Sequence, residues 1–157
     1  MKTKAFYHVA LMKSWNPILQ EQMSTISRSG ILNSIPMEIT VIGDEKDFYS
    51  MKKEYGFLFR RNVDVRYIGA DFSVFEFPTL DRLYSWSISN RDCCVLYFHT
   101  KGISHDHYDK DKKIVSSPSR WRRTMMFHCV EGWKKCLRIL REGERCFVRT
   151  CLYLLPL

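Results

Sequence analysis

The sequence predicts an α/β domain built on a mostly parallel sheet with helices on both of its faces. Three observations predict it. Four short apolar segments rich in β-branched and aromatic residues (5–12, 37–42, 63–68 and 94–99) are separated by stretches whose apolar residues recur at helical spacing. Each segment stops abruptly in small or polar residues: Lys13-Ser14, Gly43-Asp44, Gly69-Ala70-Asp71 and His99-Thr100-Lys101-Gly102. No internal period points to a repeat architecture instead. A strand that must cross back over the sheet before the next one starts makes a right-handed parallel crossover. All four exits then lie on one edge, which is the predicted binding cleft.

The elements follow in order. Ala5 to Met12 reads as the first strand. Asn16 is placed as the N-cap of the helix after it, with Pro17 at its first position. Trp15, Leu19, Met23 and Ile26 fall at helical spacing, and Gly30 ends the helix. Met37 to Ile42 is the second strand, followed by a helix from Asp47 to Tyr55 that Gly56 ends. Val63 to Ile68 is the third. Pro78 and Thr79 open a helix that turns Leu80, Leu83, Tyr84 and Ile88 toward the core. The fourth strand holds five apolar residues, Cys94 to Phe98, and reads as covered on both faces. A polar loop spans 103–117. The strongest helix runs from Ser119 to Arg141, with Trp121, Met125, Cys129, Cys136 and Leu140 on one face and Lys134, Arg138, Arg141 and Arg145 on the other. The tail Cys146–Leu157 is apolar and β-favouring, and fits a fifth strand.

The 157 residues are expected to form one domain: a binding half at 1–102, the loop at 103–117, the basic helix at 118–142 and an atypical tail at 143–157. Hydrophobic residues at 45% and aromatics at 14% exclude a disordered chain. The segment 5–12 is too short and too interrupted for a secretory signal, and no stretch is long enough to span a membrane. A soluble, cytoplasmic protein is expected, in the host cytoplasm if the source is viral. Six cysteines include the adjacent pair Cys93-Cys94 and no Cys-x-x-Cys, which favours reduced core thiols over disulfides or a structural zinc site. The net charge of +8 is uneven: from Pro118 onward nine Lys and Arg face three Glu. Such a surface favours phosphorylated ligands, nucleic acid or an anionic membrane.

The candidate binding residues follow from the strand exits. His99, Thr100, Lys101 and Gly102 combine an imidazole, a hydroxyl, a flexible cation and a turn, groups that suit a phosphate or a sugar hydroxyl. Arg122 opens the long helix, where unpaired N–H groups already favour an anion, and a guanidinium adds bidentate donors. Asp44 and Asp71 follow strands, as acids that accept hydrogen bonds from a ribose or base do in nucleotide-binding sheets. Lys13 and Trp15 complete the edge. Asp109-x-Asp111 is spaced to hold a divalent metal, Mn or Mg, beside a diphosphate, although Lys110 and Lys112 oppose it. No nucleophile triad or Gly-rich phosphate loop is present, and no catalytic residue is identified.

A set of residues carries a resemblance: Phe6-Tyr7-His8-Val9, Trp15, Glu21-Gln22, Ser29-Gly30, Phe77-Pro78-Thr79-Leu80, Leu96 to Gly102, Trp121-Arg122 and Trp133 with Cys136-Leu137. From about residue 5 to residue 142 the chain resembles GT-A-type glycosyltransferases of bacteria and large DNA viruses, and the strand ending in His-Thr-Lys-Gly is the most specific part. The resemblance implies transfer of a sugar from a UDP- or GDP-sugar to a glycan or protein acceptor, with the donor across the first strand ends. In that family an Asp-x-Asp at a central strand end usually holds the metal. Here His99-Thr100-Lys101 stands in its place, so Lys101 and Arg122, or a cation on Asp109 and Asp111, would neutralise the diphosphate. The family also continues past the long helix where this tail departs, which reads as a truncated or altered member retaining the donor half. Two other readings stand beside the transferase: a nucleic-acid-binding module on the basic helix, and a catalytically inactive interaction domain.

Overall fold

The computed structural model describes residues 1–13, 15–56, 62–100 and 118–142. Within them the chain order is β1 (Lys2–Leu11), α1 (Trp15–Ser29), β2 (Met37–Gly43), α2 (Glu45–Tyr55), β3 (Val63–Gly69), α3 (Phe77–Ser89), β4 (Cys93–His99), α4 (Pro118–Met125), a π-helical stretch (Met126–Glu131) and α5 (Trp133–Glu142). The four strands form one sheet in the order β3-β2-β1-β4, every pair parallel. The four exits therefore share one edge, as the alternating pattern predicts. Lys101, Gly102, Asp109, Asp111, Arg145 and the tail fall outside the described residues.

The pleat divides the sheet into two unlike faces. Residues Ala5, Tyr7, Val9 and Leu11 of β1 align with Met37, Ile39 and Val41 of β2 and with Leu96 and Phe98 of β4, and all are buried. Helices α1 and α5 and the π-helical stretch contribute Leu19, Met23, Ile26, Met126, Val130, Trp133 and Leu137 to this core. Tyr7 and Phe98 lie with ring centroids 4.8 Å apart at its centre. Burying side chains of this size stabilises by about 1.5–3 kcal/mol each. Helix α2 joins the same face, with Phe48 stacked on Tyr67 of β3 at 4.6 Å.

The opposite face carries α3 and is polar. Phe6 meets Trp86 edge-on at 6.1 Å, and next to it Glu38, 1% exposed, accepts Lys4 at 2.7 Å, Arg82 at 2.7 Å and Arg66 at 3.2 Å. One carboxylate so ties β1, β2, β3 and α3 together. Burial pushes its pKa up, but the hydrogen bonds and charges of Arg82 and Lys4 outweigh that and hold it below the usual carboxylate range.

Several local expectations are corrected. Helix α1 begins at Trp15, and Asn16 does not cap it. Its amide accepts the Tyr55 hydroxyl at 2.9 Å and reaches Glu54 at 3.1 Å, tying α1 to the end of α2. Gly30 ends the helix as expected, in the left-handed region at φ 71°. Tyr84 and Ile88 are exposed, and Thr79 is the buried side chain of α3. The reason is that α3 lies on a polar sheet face and turns Thr79, Arg82 and Trp86 toward it. In β4 only Cys94, Leu96 and Phe98 are buried, while Val95, Tyr97 and His99 on the α3 side are half-covered.

The long helix is continuous over 118–142 but not uniform. The π-helical stretch inserts one residue, which rotates everything after it by about 100° relative to an unbroken α-helix. Leu137 therefore takes the buried position an even spacing assigns to Cys136, and Leu140 is exposed. Gly132 closes the wide turn, donating its N–H to the Phe127 carbonyl at 2.9 Å, and a Cβ there would lie 2.8 Å from the His128 carbonyl oxygen. Cys93 and Cys94 are free thiols. Among the described residues no helix is long and apolar enough to cross a membrane.

Candidate functional site

In an open parallel sheet, ligands settle beyond the carboxyl ends of strands at the point where strand order reverses. Here that point lies between β1 and β4, because β2 and β3 were added on one side of β1 and β4 on the other. Backbone and side chain together seal the junction. The Thr100 N–H donates to the His8 carbonyl at 3.0 Å, and its hydroxyl oxygen accepts the Ala10 N–H at 2.9 Å. Thr100 is thus buried and extends the β4 to β1 ladder by one residue.

His99 is gripped from both faces. On the core side, Gln22 of α1 donates to the His99 carbonyl at 2.9 Å and accepts the Tyr7 hydroxyl at 2.8 Å. On the α3 side, its ring Nδ1 lies 2.6 Å from Glu76 Oε1, while the Tyr97 hydroxyl donates to Glu76 Oε2 at 2.7 Å. Both carboxylate oxygens are engaged. Burial pushes the Glu76 carboxyl up, but the hydrogen bond and charge of His99, the Tyr97 hydroxyl and the nearby His8 outweigh it and hold its pKa at about 2. Burial, then the hydrogen bond to Glu76, drives the Tyr97 hydroxyl well above its ordinary value.

His8 pairs in register with His99 and lies beneath the first turn of α3, its Nδ1 2.8 Å from the Thr79 hydroxyl. Burial lowers its pKa to about 4, with Glu76 opposing and His99 adding to the effect, so the ring is neutral at pH 7. Thr40 is its register neighbour in β2; its buried hydroxyl has no hydrogen-bond partner among the described residues.

The backbone bends sharply just before Glu76. Phe75 holds φ 46°, ψ −132°, the one positive φ of a non-glycine residue among the described residues. Such a conformation costs on the order of 1–3 kcal/mol and survives where the surroundings over-determine it. Here it delivers Glu76 to His99 and leaves Phe75 and Phe77 exposed on either side.

The other sequence candidates are distributed around this centre. Lys13 is exposed beyond β1, and Trp15 packs against the core. Asp44 is exposed at the start of α2, its carbonyl accepting the Phe48 N–H at 3.0 Å. Asp71 is exposed beyond β3, where its carboxylate accepts the Ser73 N–H at 2.9 Å and hydroxyl at 2.6 Å, so those bonds lower its pKa. Arg122 is buried on the core side and donates to Glu21 at 3.0 Å, an acid it shares with Arg123 at 3.1 Å. The structure therefore brings His99 and Thr100 together at the β1/β4 junction, places Lys13, Asp44 and Asp71 beyond the ends of β1, β2 and β3 along the same edge, and ties Arg122 into an ion pair with α1.

Glu76, Tyr97, His8 and Thr79 are the residues sequence reasoning left without a role. Three carried a signal, because His8, Thr79 and Tyr97 fall within the segments that bear the family resemblance. Glu76, between two phenylalanines before Pro78, read as connecting loop. Among the described residues no group of three or more His, Cys, Asp or Glu side chains converges as a metal site, and both Glu76 oxygens are already committed.

A family model matches residues 6–152, nearly the whole chain. The chain belongs to the DUF8361 family. That family is described as a domain of unknown function, so membership brings no activity with it. No curated protein and no solved structure matches the chain.

Proposed function

We propose that the protein is a glycosyltransferase, or the donor-binding part of one, that takes a nucleoside-diphosphate sugar at the carboxyl edge of the sheet. One observation carries the reading: at the reversal point between β1 and β4, a polar cluster built around His99 stands where a parallel sheet binds nucleotides. The GT-A resemblance, with His99-Thr100-Lys101-Gly102 at the end of β4, supplies the substrate class. In this reading Asp44 and Asp71 serve the ribose and base beside Lys13 and Trp15, and Lys101 meets the diphosphate. Glu76 orients His99 through Nδ1 and so fixes the imidazole at the strand end. A divalent cation on Asp109 and Asp111 would add charge neutralisation at the diphosphate. Calorimetric titration of UDP, GDP and their sugars, with and without manganese, tests the reading. Binding of one nucleotide, lost in Lys101→Ala, is expected; binding of none removes the proposal.

A second reading, a non-catalytic interaction domain, is favoured by one feature. Phe77, Tyr84 and Ile88 expose an apolar stripe along the outer side of α3, and Phe75 is exposed in the turn before it. It predicts that Tyr84→Lys leaves nucleotide binding untouched and abolishes association with a protein partner.

A further inference from the structure

We infer that the amino-terminal edge of the sheet carries a second site, for a small organic ligand bearing two or more phosphoryl groups. A cleft of about 570 Å³ opens there between α5, the start of β1 and the turn before β2. That volume is of ligand size. Its apolar floor is made by Ile35, Trp133 and Leu137, all buried.

Its rim is cationic. Lys134, Arg138 and Arg141 recur at i, i+4 and i+7 along α5, which spans about 10 Å of helix axis. None of the three pairs with a carboxylate among the described residues, although Glu21, Glu38 and Asp92 take cationic partners elsewhere. Three cations set side by side repel one another unless an anion joins them, and two phosphoryl groups fit both the charge and the span. The opposite wall contributes hydroxyls. Thr3 Oγ1 is buried with no hydrogen-bond partner among the described residues, and Ser34, whose hydroxyl reaches the Gly30 carbonyl at 3.4 Å, belongs to the same lining. A buried hydroxyl left without a partner is costly, and a ligand oxygen in the cleft would satisfy it.

The shape argues against a nucleic-acid strand on the same cations. Sequence-tolerant single-strand binding relies on exposed aromatic rings for stacking. Trp133 is only 7% exposed, its indole N–H is committed to the Ser29 carbonyl at 3.1 Å, and the Lys134 ammonium lies 5.5 Å from its ring centroid. The ring is floor, not platform. This site lies at the opposite end of the strands from the proposed donor cleft and stands independently of it.

The Trp133 indole N–H resonance, assigned with Trp133→Phe, is the local reporter, and inorganic pyrophosphate is the probe. Pyrophosphate is expected to shift that resonance saturably in the wild type. Arg138→Gln and Arg141→Gln should each weaken the effect about tenfold or more, while Lys101→Ala, which disables the proposed donor site, leaves it intact. No shift at millimolar pyrophosphate, or an undiminished shift in the Arg138→Gln/Arg141→Gln double variant, would overturn the inference. So would displacement of pyrophosphate by an oligonucleotide or by anionic vesicles at lower concentration, since either would make the cleft part of an extended surface.

Discussion

His8 offers the most quantitative check on the polar face of the sheet. Its ring is 4% exposed and its pKa is lowered to about 4, chiefly by burial, from an ordinary value of 6.5. Between those two pH values the unfolded chain binds a proton that the folded chain refuses, so stability rises with pH across the window and falls as acid is added. Integrating over the shift, His8 alone destabilises the fold by about 2 kcal/mol at pH 5 and about 3 kcal/mol at pH 4, relative to pH 7. The depressed carboxyls of Glu38 and Glu76 act in the same direction, mainly as the pH falls through about 4.5, where the unfolded chain is half protonated at each. Between pH 6.5 and 5 the His8 contribution therefore outweighs both carboxyls. His8→Gln keeps an amide able to bond Thr79 and cannot ionise. Urea titrations at pH 7, 6 and 5 should show the wild type losing about 2 kcal/mol while the variant stays level over this interval, whatever its stability at pH 7. Equal slopes in the two proteins, or a His8 ring that titrates by NMR near 6.5, would refute the reasoning.

Three further outcomes are expected. Glu38→Gln leaves Lys4, Arg66 and Arg82 facing one another and should cost about 2–4 kcal/mol in urea unfolding at pH 7, at the low end because both arginines are nearly half exposed. Gly43→Ala sets a Cβ 2.5 Å from Leu11 Cβ at φ 153° and should cost about 3 kcal/mol, whereas Gly30→Ala, at φ 71° with open space around it, should cost only about 1 kcal/mol. Burial pushes the Cys94 thiol up to about 11, so mass spectrometry should find it unmodified by iodoacetamide at pH 8 in the folded protein and alkylated in urea.

Sheet topology was legible because parallel strands declare themselves by where they stop. Gly43 and the polar exit after Phe98 follow apolar runs, Gly69 follows an alternating one, and Gly30 ends α1 in the left-handed conformation only glycine takes readily. What resisted reading was any residue whose burial depends on partners from elsewhere in the chain. Glu38 lies within an apolar run, and nothing local says that Lys4, Arg66 and Arg82 converge on it from three other elements. The outer side of α3 has the apolar spacing of a buried face, because periodicity marks which residues share a side but not which side the sheet receives. The π-helical stretch likewise leaves no periodic trace, since one inserted residue turns an apparent stripe from Cys136 to Leu137. At the candidate site, His99 and Thr100 were visible as a strand exit. Glu76 was not, because its importance rests on the bent backbone at Phe75.

The two polar clusters beneath α3 differ in what they can be for. Glu38 lies near the amino-terminal half of its strand and binds cations from three elements, an arrangement that holds the sheet together and could be replaced by well-packed apolar residues at little cost in stability. The His99, Glu76 and Tyr97 cluster stands instead at the last residue of β4, fixed from the core side by Gln22 and from the other side by a strained turn. The strained turn brings Glu76 to His99 and Tyr97, contacts that stabilise the fold at neutral pH, and the reading proposed above adds to them the positioning of an imidazole. The two roles separate experimentally, because Glu38→Gln should lower stability and leave the affinity of a folded protein for nucleotide unchanged, whereas Glu76→Gln should lower that affinity as well as stability. If both substitutions acted on stability alone, the α3 face would be a scaffold throughout, and the chemistry would have to be sought at the basic edge of the sheet.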